Sequence, residues 1–295
     1  MKENAELGKK LRQKKPRKPL SEERKPGRYD PRNALNDLTG KEWLLLTSSF
    51  WFSEPTNEDK EAYEHPAPFM VRDVEKLIGL FTKRGMKVLD PFVGSGTTLI
   101  AANKLGRQGI GIDLNPAYKK IAVERLKTKG FLDFVYYVGD AKETLESIDC
   151  VDYIVTSPPY HNILRNKAKG TRYNNGKLYR MGAREGIKYY TERSNDLGNC
   201  STYADFVAGF KEIMGKAFMK LRNSGYCTII IGDFTVDKTE VCVQADIVRL
   251  MQEIGFEYCG TTVLLQKVKP LYPFGYPYVY KINHQHHNII NFRKY

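Results

Sequence analysis

The run Val88-Leu89-Asp90-Pro91-Phe92-Val93-Gly94-Ser95-Gly96-Thr97-Thr98 reads as an apolar strand, a glycine turn and the start of a helix. Glycines at 94 and 96 allow a sharp turn and close approach of the backbone to a ligand, and the helix start offers unpaired N–H groups. A phosphate-cradling loop needs a lysine after its last glycine, and Thr97 stands there instead. A dinucleotide loop needs a third glycine at the place held by Leu99, which makes that reading weak. S-adenosylmethionine offers an ammonium, a carboxylate, a ribose and an adenine, and acidic residues at strand ends suit it. Asp90 ends the first strand and is expected to meet the ammonium. Asp113, at the end of the next, is placed for the ribose hydroxyls, and Asp140, after the third, for the adenine amino group. Phe92, Ser95 and Thr97 complete the expected cofactor loop.

About sixty residues further on, Asp152-Tyr153-Ile154-Val155-Thr156-Ser157-Pro158-Pro159-Tyr160 ends another strand. Two prolines carry no N–H donors and have fixed φ angles, so they present carbonyl oxygens on a rigid platform beside an aromatic ring. Methyl transfer to an exocyclic amine of a base needs such a device. The amine's lone pair is delocalised into the ring, and acceptors on its N–H groups favour a pyramidal, nucleophilic nitrogen. Catalysis is then positioning plus local electrostatics. Ser157, Pro158, Pro159 and Tyr160 are the expected catalytic set, with Tyr160 stacking on a base flipped out of its helix.

The elements that must hold these residues follow from periodicity. Residues 70–83 place Val71, Val74, Leu77, Ile78 and Phe81 on one helical face. Strands are expected at 87–92, 108–113, 134–138 and 153–156, with helices at 97–105 and 117–127. A strong helical pattern runs from Tyr203 to Leu221, with Thr202 and Asp205 as a capping box and Gly225 as its stop. A strand at 227–231, a helix at 245–254 and strands at 261–267 and 288–293 complete the chain. Alternating strands and helices imply an α/β, Rossmann-like doubly wound sheet, mostly parallel, with an antiparallel edge pair at the end.

The Asp90–Thr98 loop and Thr156-Ser-Pro-Pro-Tyr160 resemble the cofactor and catalytic motifs of the amino-directed DNA methyltransferases, the N4-cytosine and N6-adenine enzymes. His65-Pro66-Ala67-Pro68-Phe69 resembles the family's segment that closes over the methionine end of the cofactor, which adds His65 to the expected site. Asp196-Leu197-Gly198-Asn199 and residues 225–233 are also similar to bacterial members. The resemblance covers about residues 40–295 and implies a class I methyltransferase fold of seven strands with a reversed last strand. Relatives with this type of glycine loop often carry the tetrapeptide first in the chain, whereas here it comes second. Relatives with Ser before Pro-Pro-Tyr lean toward cytosine N4 and those with Asp toward adenine N6. RNA guanine-N2 enzymes usually begin the tetrapeptide with Asn. A catalytically inactive nucleic-acid binder is disfavoured by intact Asp90, Gly94, Gly96, Asp113 and Ser157–Tyr160. A DNA partner follows from the resemblance, as does a cognate restriction endonuclease.

Charge points the same way. The net charge of +13 divides into +7 over residues 1–28 and +6 over residues 161–199, leaving the rest balanced. Residues 1–30 are expected to form a flexible basic arm, and residues 31–295 the catalytic domain. Residues 161–199 are expected to form a DNA-contacting loop in which Arg165, Lys167, Lys169, Arg172, Lys177, Arg180, Arg184, Lys188 and Arg193 alternate with tyrosines. No Pro-Cys dipeptide is present for cytosine C5 chemistry. Five cysteines without a CxxC pair fit reduced cytoplasmic thiols, and His284, His286 and His287 lack the partners of a metal site. No apolar run reaches membrane-spanning length.

Overall fold

The computed structural model describes residues 27–53, 55–60, 69–162, 164, 171–174, 177–180, 189–266, 269 and 271–295. The first half of the chain forms α1 (Gly40–Leu46), β1 (Phe50–Phe52), α2 (Val71–Phe81), β2 (Lys87–Asp90), α3 (Thr97–Lys104), β3 (Gln108–Asp113), α4 (Pro116–Lys127) and β4 (Phe134–Val138). Then come α5 (Ala141–Thr144), β5 (Val151–Thr156), β6 (Thr171–Asn174), β7 (Lys177–Arg180), α6 (Tyr203–Lys220) and β8 (Leu221–Ile231). The last elements are β9 (Phe234–Val236), β10 (Thr239–Val241), α7 (Val243–Ile254), β11 (Glu257–Leu265) and β12 (His286–Arg293).

The main sheet has the order β1-β11-β12-β8-β5-β2-β3-β4. Strands β8, β5, β2, β3 and β4 run parallel to one another, and β12 runs antiparallel to both β8 and β11. Two apolar layers sandwich the sheet. On one face α2, α3 and α4 contribute Leu77, Ile78, Leu99, Ile100 and Leu126; on the other α6 and α7 contribute Phe206, Phe210, Met214, Ile247 and Met251. The arrangement is the doubly wound α/β fold expected from the alternation of elements.

Two details differ from expectation. The sheet has eight strands and not seven, because Phe50–Phe52 adds a parallel edge beside Val263–Leu265, burying Trp51 and leaving Phe50 and Phe52 exposed. The expected antiparallel pair, β11 with β12, is present, but β1 lies outside it. Ile289 packs into one layer and Ile290 and Phe292 into the other, so β12 is buried on both faces and fits only between two neighbours.

Helix α6 starts as its capping box predicts, with the Thr202 hydroxyl accepting from the Asp205 amide at 3.1 Å. Its end is different. The chain turns extended at Leu221, and Lys294 donates to the Phe218 and Leu221 carbonyls at 2.7 Å each, meeting acceptors that a helix end leaves bare. Gly225 lies inside β8, at an irregularity in its pairing with β5, and is not a helix stop. A Cβ there would fall 2.7 Å from Leu221 Cδ1, which is why glycine occupies it.

Candidate active site

The glycine loop is fixed from beneath. Gly96 has φ of +81°, and a Cβ on it would stand 2.7 Å from that of Ala122, so this glycine serves the packing of α3 on α4. Gly94 donates its amide to Asp113 Oδ2 at 3.0 Å and accepts from the Tyr136 hydroxyl at 2.9 Å. Ser95 and Thr97 are buried over Arg125, whose guanidinium donates to the Ser95 carbonyl at 2.6 Å and lies 3.3 Å from Thr97 Oγ1. Arg125 comes from α4 and is itself buried. It clamps the turn in one shape.

Asp90 is also buried, and its two oxygens are engaged within the fold. Oδ2 accepts from the Thr98 hydroxyl at 2.5 Å, and Oδ1 from the Thr156 hydroxyl at 2.5 Å and the Phe92 amide at 3.0 Å. Thr98 belongs to the glycine-loop helix and Thr156 to the strand that carries the proline pair. Asp90 therefore ties the two motifs together, a different place from the ammonium contact expected of it. Burial raises its carboxyl to about 6, against the pull of those three donors. Asp90→Ala leaves two hydroxyls and an amide without their shared acceptor. It should destabilise the fold by at least about 2 kcal/mol, read as a lowered melting temperature in the cofactor-free protein.

Beside this support lies a cleft of about 690 Å³. Pro91, Phe92, Asp113, Leu114, Tyr118 and Asp140 form one side, and Ser157, Pro158, Pro159 and Tyr160 another. Asp113 Oδ1 accepts from the Asn115 amide at 2.7 Å while Oδ2 takes the Gly94 amide, so two backbone donors aim the carboxylate. Burial, with Asp196 and Asp90 nearby, raises it to about 7. Asp140 caps α5 through the Lys142 amide at 2.8 Å, and its other oxygen accepts from Asn195 Nδ2 at 2.7 Å. It is a helix cap and a cleft wall at once.

The Tyr160 ring is held on several sides. Its hydroxyl accepts from the Gly232 amide at 3.0 Å, and the ring meets Phe234 edge to face at 5.4 Å and lies 6.4 Å from His287. Burial pushes its phenol up to about 12, which keeps it neutral.

The far end of the basic loop closes the cleft. Tyr190, Thr191, Asn195 and Asp196 line it. Asn115 Nδ2 donates to the Tyr190 carbonyl at 2.9 Å, and buried Asp196 accepts from the amides of Thr191 and Gly198. These residues were outside the expected site, although the Asp196–Asn199 motif was a signal for them. The middle of the loop contains an antiparallel hairpin, β6 with β7. Asn175-Gly176 in the sequence is the strongest short hairpin signal. Arg165, Lys167, Lys169, Arg184 and Lys188 lie outside the described residues, as do His65 and most of residues 1–30.

The structure thus brings Phe92, Asp113, Asp140 and Ser157–Tyr160 to one cleft and places Asp90, Ser95, Gly96 and Thr97 behind it. No three His, Cys, Asp or Glu side chains among the described residues cluster as a metal site requires. No described helix is long and apolar enough to cross a membrane.

A doubly wound sheet with a reversed strand, a clamped glycine turn and acids at successive strand ends is the layout of a class I methyltransferase. Residues 82–245 match the family described as methyltransferase domain, and residues 3–124 the family described as DNA methylase (N6_N4). The chain belongs to the methyltransferase-domain family, and its first part is similar to the DNA methylases. Over 102 residues it is 41% identical to the type II methyltransferase M2.DpnII of Streptococcus pneumoniae, covering 34% of this chain and 36% of that one. Over 104 residues it is 32% identical to the tRNA (guanine(10)-N2)-dimethyltransferase of Pyrococcus abyssi, covering 35% and 31%. The matched segments therefore span about a third of these relatives. Among solved structures, precorrin 8W decarboxylase of Methanobacterium thermoautotrophicum superposes with a TM-score of 0.50 at 14% identity, covering 81% of this chain and 98% of that one, a likeness of fold.

The cofactor of such a domain is S-adenosylmethionine. The donor set fits it. Asp113, Asp140 and Asp196 make an acidic cleft that suits a cationic ligand, and the Asp113 carboxylate, aimed by two amides, suits a pair of hydroxyls.

Proposed function

We propose that this chain methylates an exocyclic amino group of a base in DNA, and that the base is cytosine, at N4. The observation that carries the reading is that Ser157–Tyr160 and the acidic strand ends wall one cleft. S-adenosylmethionine, when bound, supplies an electrophilic methyl group. The protein's part is to hold the amine in line with it. Ser157 and the Pro158 carbonyl accept from the amino group, which favours a pyramidal nitrogen, and the Tyr160 ring stacks on the flipped base. Cytosine is favoured by the Ser that opens the tetrapeptide. The type II methyltransferase relative supports a DNA substrate and, with it, protection against a cognate restriction endonuclease.

Mass spectrometry of nucleosides from treated nucleic acid tests this. N4-methylcytosine is the expected product. N6-methyladenine alone would change the base and keep the mechanism, whereas methyl transfer to no nucleic acid would leave an inactive binder. A second reading, guanine N2 in RNA, has the Pyrococcus abyssi relative in its favour and Ser157, where Asn is usual, against it. Methylated RNA without methylated DNA would establish it.

The basic loop gives a further expectation. DNA affinity falls steeply with salt, and replacing Arg172, Lys177 and Arg180 of the hairpin by glutamine flattens the log–log slope by up to about 3. A full slope in that variant would remove the hairpin from the phosphate contacts.

A further inference from the structure

Between β11 and β12 the chain passes through residues 266–285. Leu265 pairs with His286, and Asn288 with Ile231 at the end of β8, so this connection leaves the sheet on the same edge as the proline pair. Its root touches the site through His287, 6.4 Å from the Tyr160 ring. Its flank rests on the β9–β10 hairpin, where Lys281 donates to the Lys238 carbonyl at 2.6 Å and His284 Nε2 lies 2.7 Å from Glu240. Phe234 of that hairpin is the residue packed edge-on against Tyr160.

The connection has a built shape. Asn283 accepts from the Tyr272 amide and donates to the Tyr272 carbonyl, both at 2.8 Å. Gln285 Nε2 reaches the Lys269 carbonyl at 2.8 Å, and the amides of Tyr278 and Val279 both donate to the Gly275 carbonyl. Yet this fixed backbone presents bare rings: Tyr276 is 80% exposed, Tyr278 90% and Tyr280 87%, with Leu271 and Val279 beside them. A braced loop that holds large apolar groups in water marks a contact surface. Its composition selects the partner. Residues 266–287 include Lys267, Lys269, Lys281 and three histidines but no Asp or Glu. Rings for bases and cations for phosphates, with nothing to repel a polyanion, fit nucleic acid.

We propose that this aromatic loop docks on the DNA duplex flanking the target base, with its tyrosines packed against the base stack beside the nucleotide held at Tyr160. The inference rests on DNA being the substrate. It adds a second contact surface, distinct from the basic loop and dominated by stacking, not charge.

The test is the joint variant Tyr276→Ser, Tyr278→Ser, Tyr280→Ser, whose positions are too exposed to carry the core. Its affinity for a fluorescein-labelled mixed-sequence duplex, measured by anisotropy, should fall about tenfold or more, with a matching rise in KM for unmethylated plasmid. Cofactor affinity, melting temperature and the salt slope should stay as in the parent, because no cation and no cleft residue is changed. A separate Tyr278→Trp variant should lose indole fluorescence when duplex is added. Parent-like duplex affinity in the triple variant, or no quenching at position 278, would overturn the loop's role while leaving the methylation reading in place. Loss of self-association in the triple variant with DNA affinity unchanged would assign the rings to a second copy of the chain and overturn it too. A parent protein that binds and methylates RNA but not DNA would overturn the loop's partner and the substrate together.

Discussion

Tyr160→Ala lowers turnover by about a hundredfold or more, while S-adenosylmethionine affinity changes little. On the proposed function the ring acts on the base and not on the cofactor, so its loss would let the amine wander from the line of transfer, and misplacement of that order costs this much in rate. Steady-state kinetics with calorimetric cofactor titration separates the two effects, and an equal loss of both would mean a collapsed cleft. From the sequence alone, Tyr160→Phe should be milder than alanine because the π-face survives. The structure adds a cost to that substitution. The phenol oxygen accepts from the Gly232 amide at 3.0 Å, so phenylalanine leaves a partly buried N–H unpaired and frees the ring on that side. The phenylalanine variant should therefore fall between the parent and alanine, with its deficit in kcat. No ionisation of Tyr160 should appear in the pH–rate profile below the strongly alkaline range, since burial keeps the phenol neutral up to about 12.

Asp113→Ala weakens cofactor binding by about 1.5–3 kcal/mol, the worth of hydrogen bonds to a charged acceptor. Calorimetry with a folded mutant checks it, and unchanged affinity would take Asp113 out of the site. The same residue sets a pH dependence. In the unfolded chain its carboxyl titrates near 3.8, and in the fold burial raises it to about 7. Between those values the folded protein holds a proton that the unfolded chain has lost. The stability associated with Asp113 is thus fully present below about pH 4 and is lost as pH rises through about 7. Cofactor binding runs the other way, because ribose hydroxyls donate best to the ionised carboxylate. Affinity should rise between about pH 6 and 8, and Asp113→Asn should abolish that rise.

Much of the frame was legible because local patterns and tertiary demands agree. The alternation of Gln108–Asp113 and Phe134–Val138 yields strands with the expected ends, and Thr202 with Asp205 marks the start of α6. Asp113, Asp140 and Ser157–Tyr160 could be expected to share a cleft because each lies at or just past a strand end, and parallel strands deliver their ends to one edge. What was not legible depends on distant partners. Nothing near Asp90 in sequence tells that Thr156, 66 residues away, will claim one of its oxygens. Arg125 sits in an ordinary helical pattern and acquires its role only when α4 passes beneath Ser95, 30 residues earlier. Charge counting assigned the whole of 161–199 to phosphates, although its last third lines the cleft. The additional edge strand, β1, is only three residues long, too short for periodicity to register.

The hydrogen bond from Thr156 to Asp90 has a consequence for how such a site can be inherited. It joins β5 to β2, neighbours in the sheet that the chain reaches far apart. The site depends on the adjacency of two strands and is indifferent to which was made first. A circularly permuted chain that ran through the proline strand before the glycine turn would keep Asp90 between the same two hydroxyls, with the same cleft above it. The two motif orders that the family resemblance implies would then be alternative routes along one unaltered scaffold.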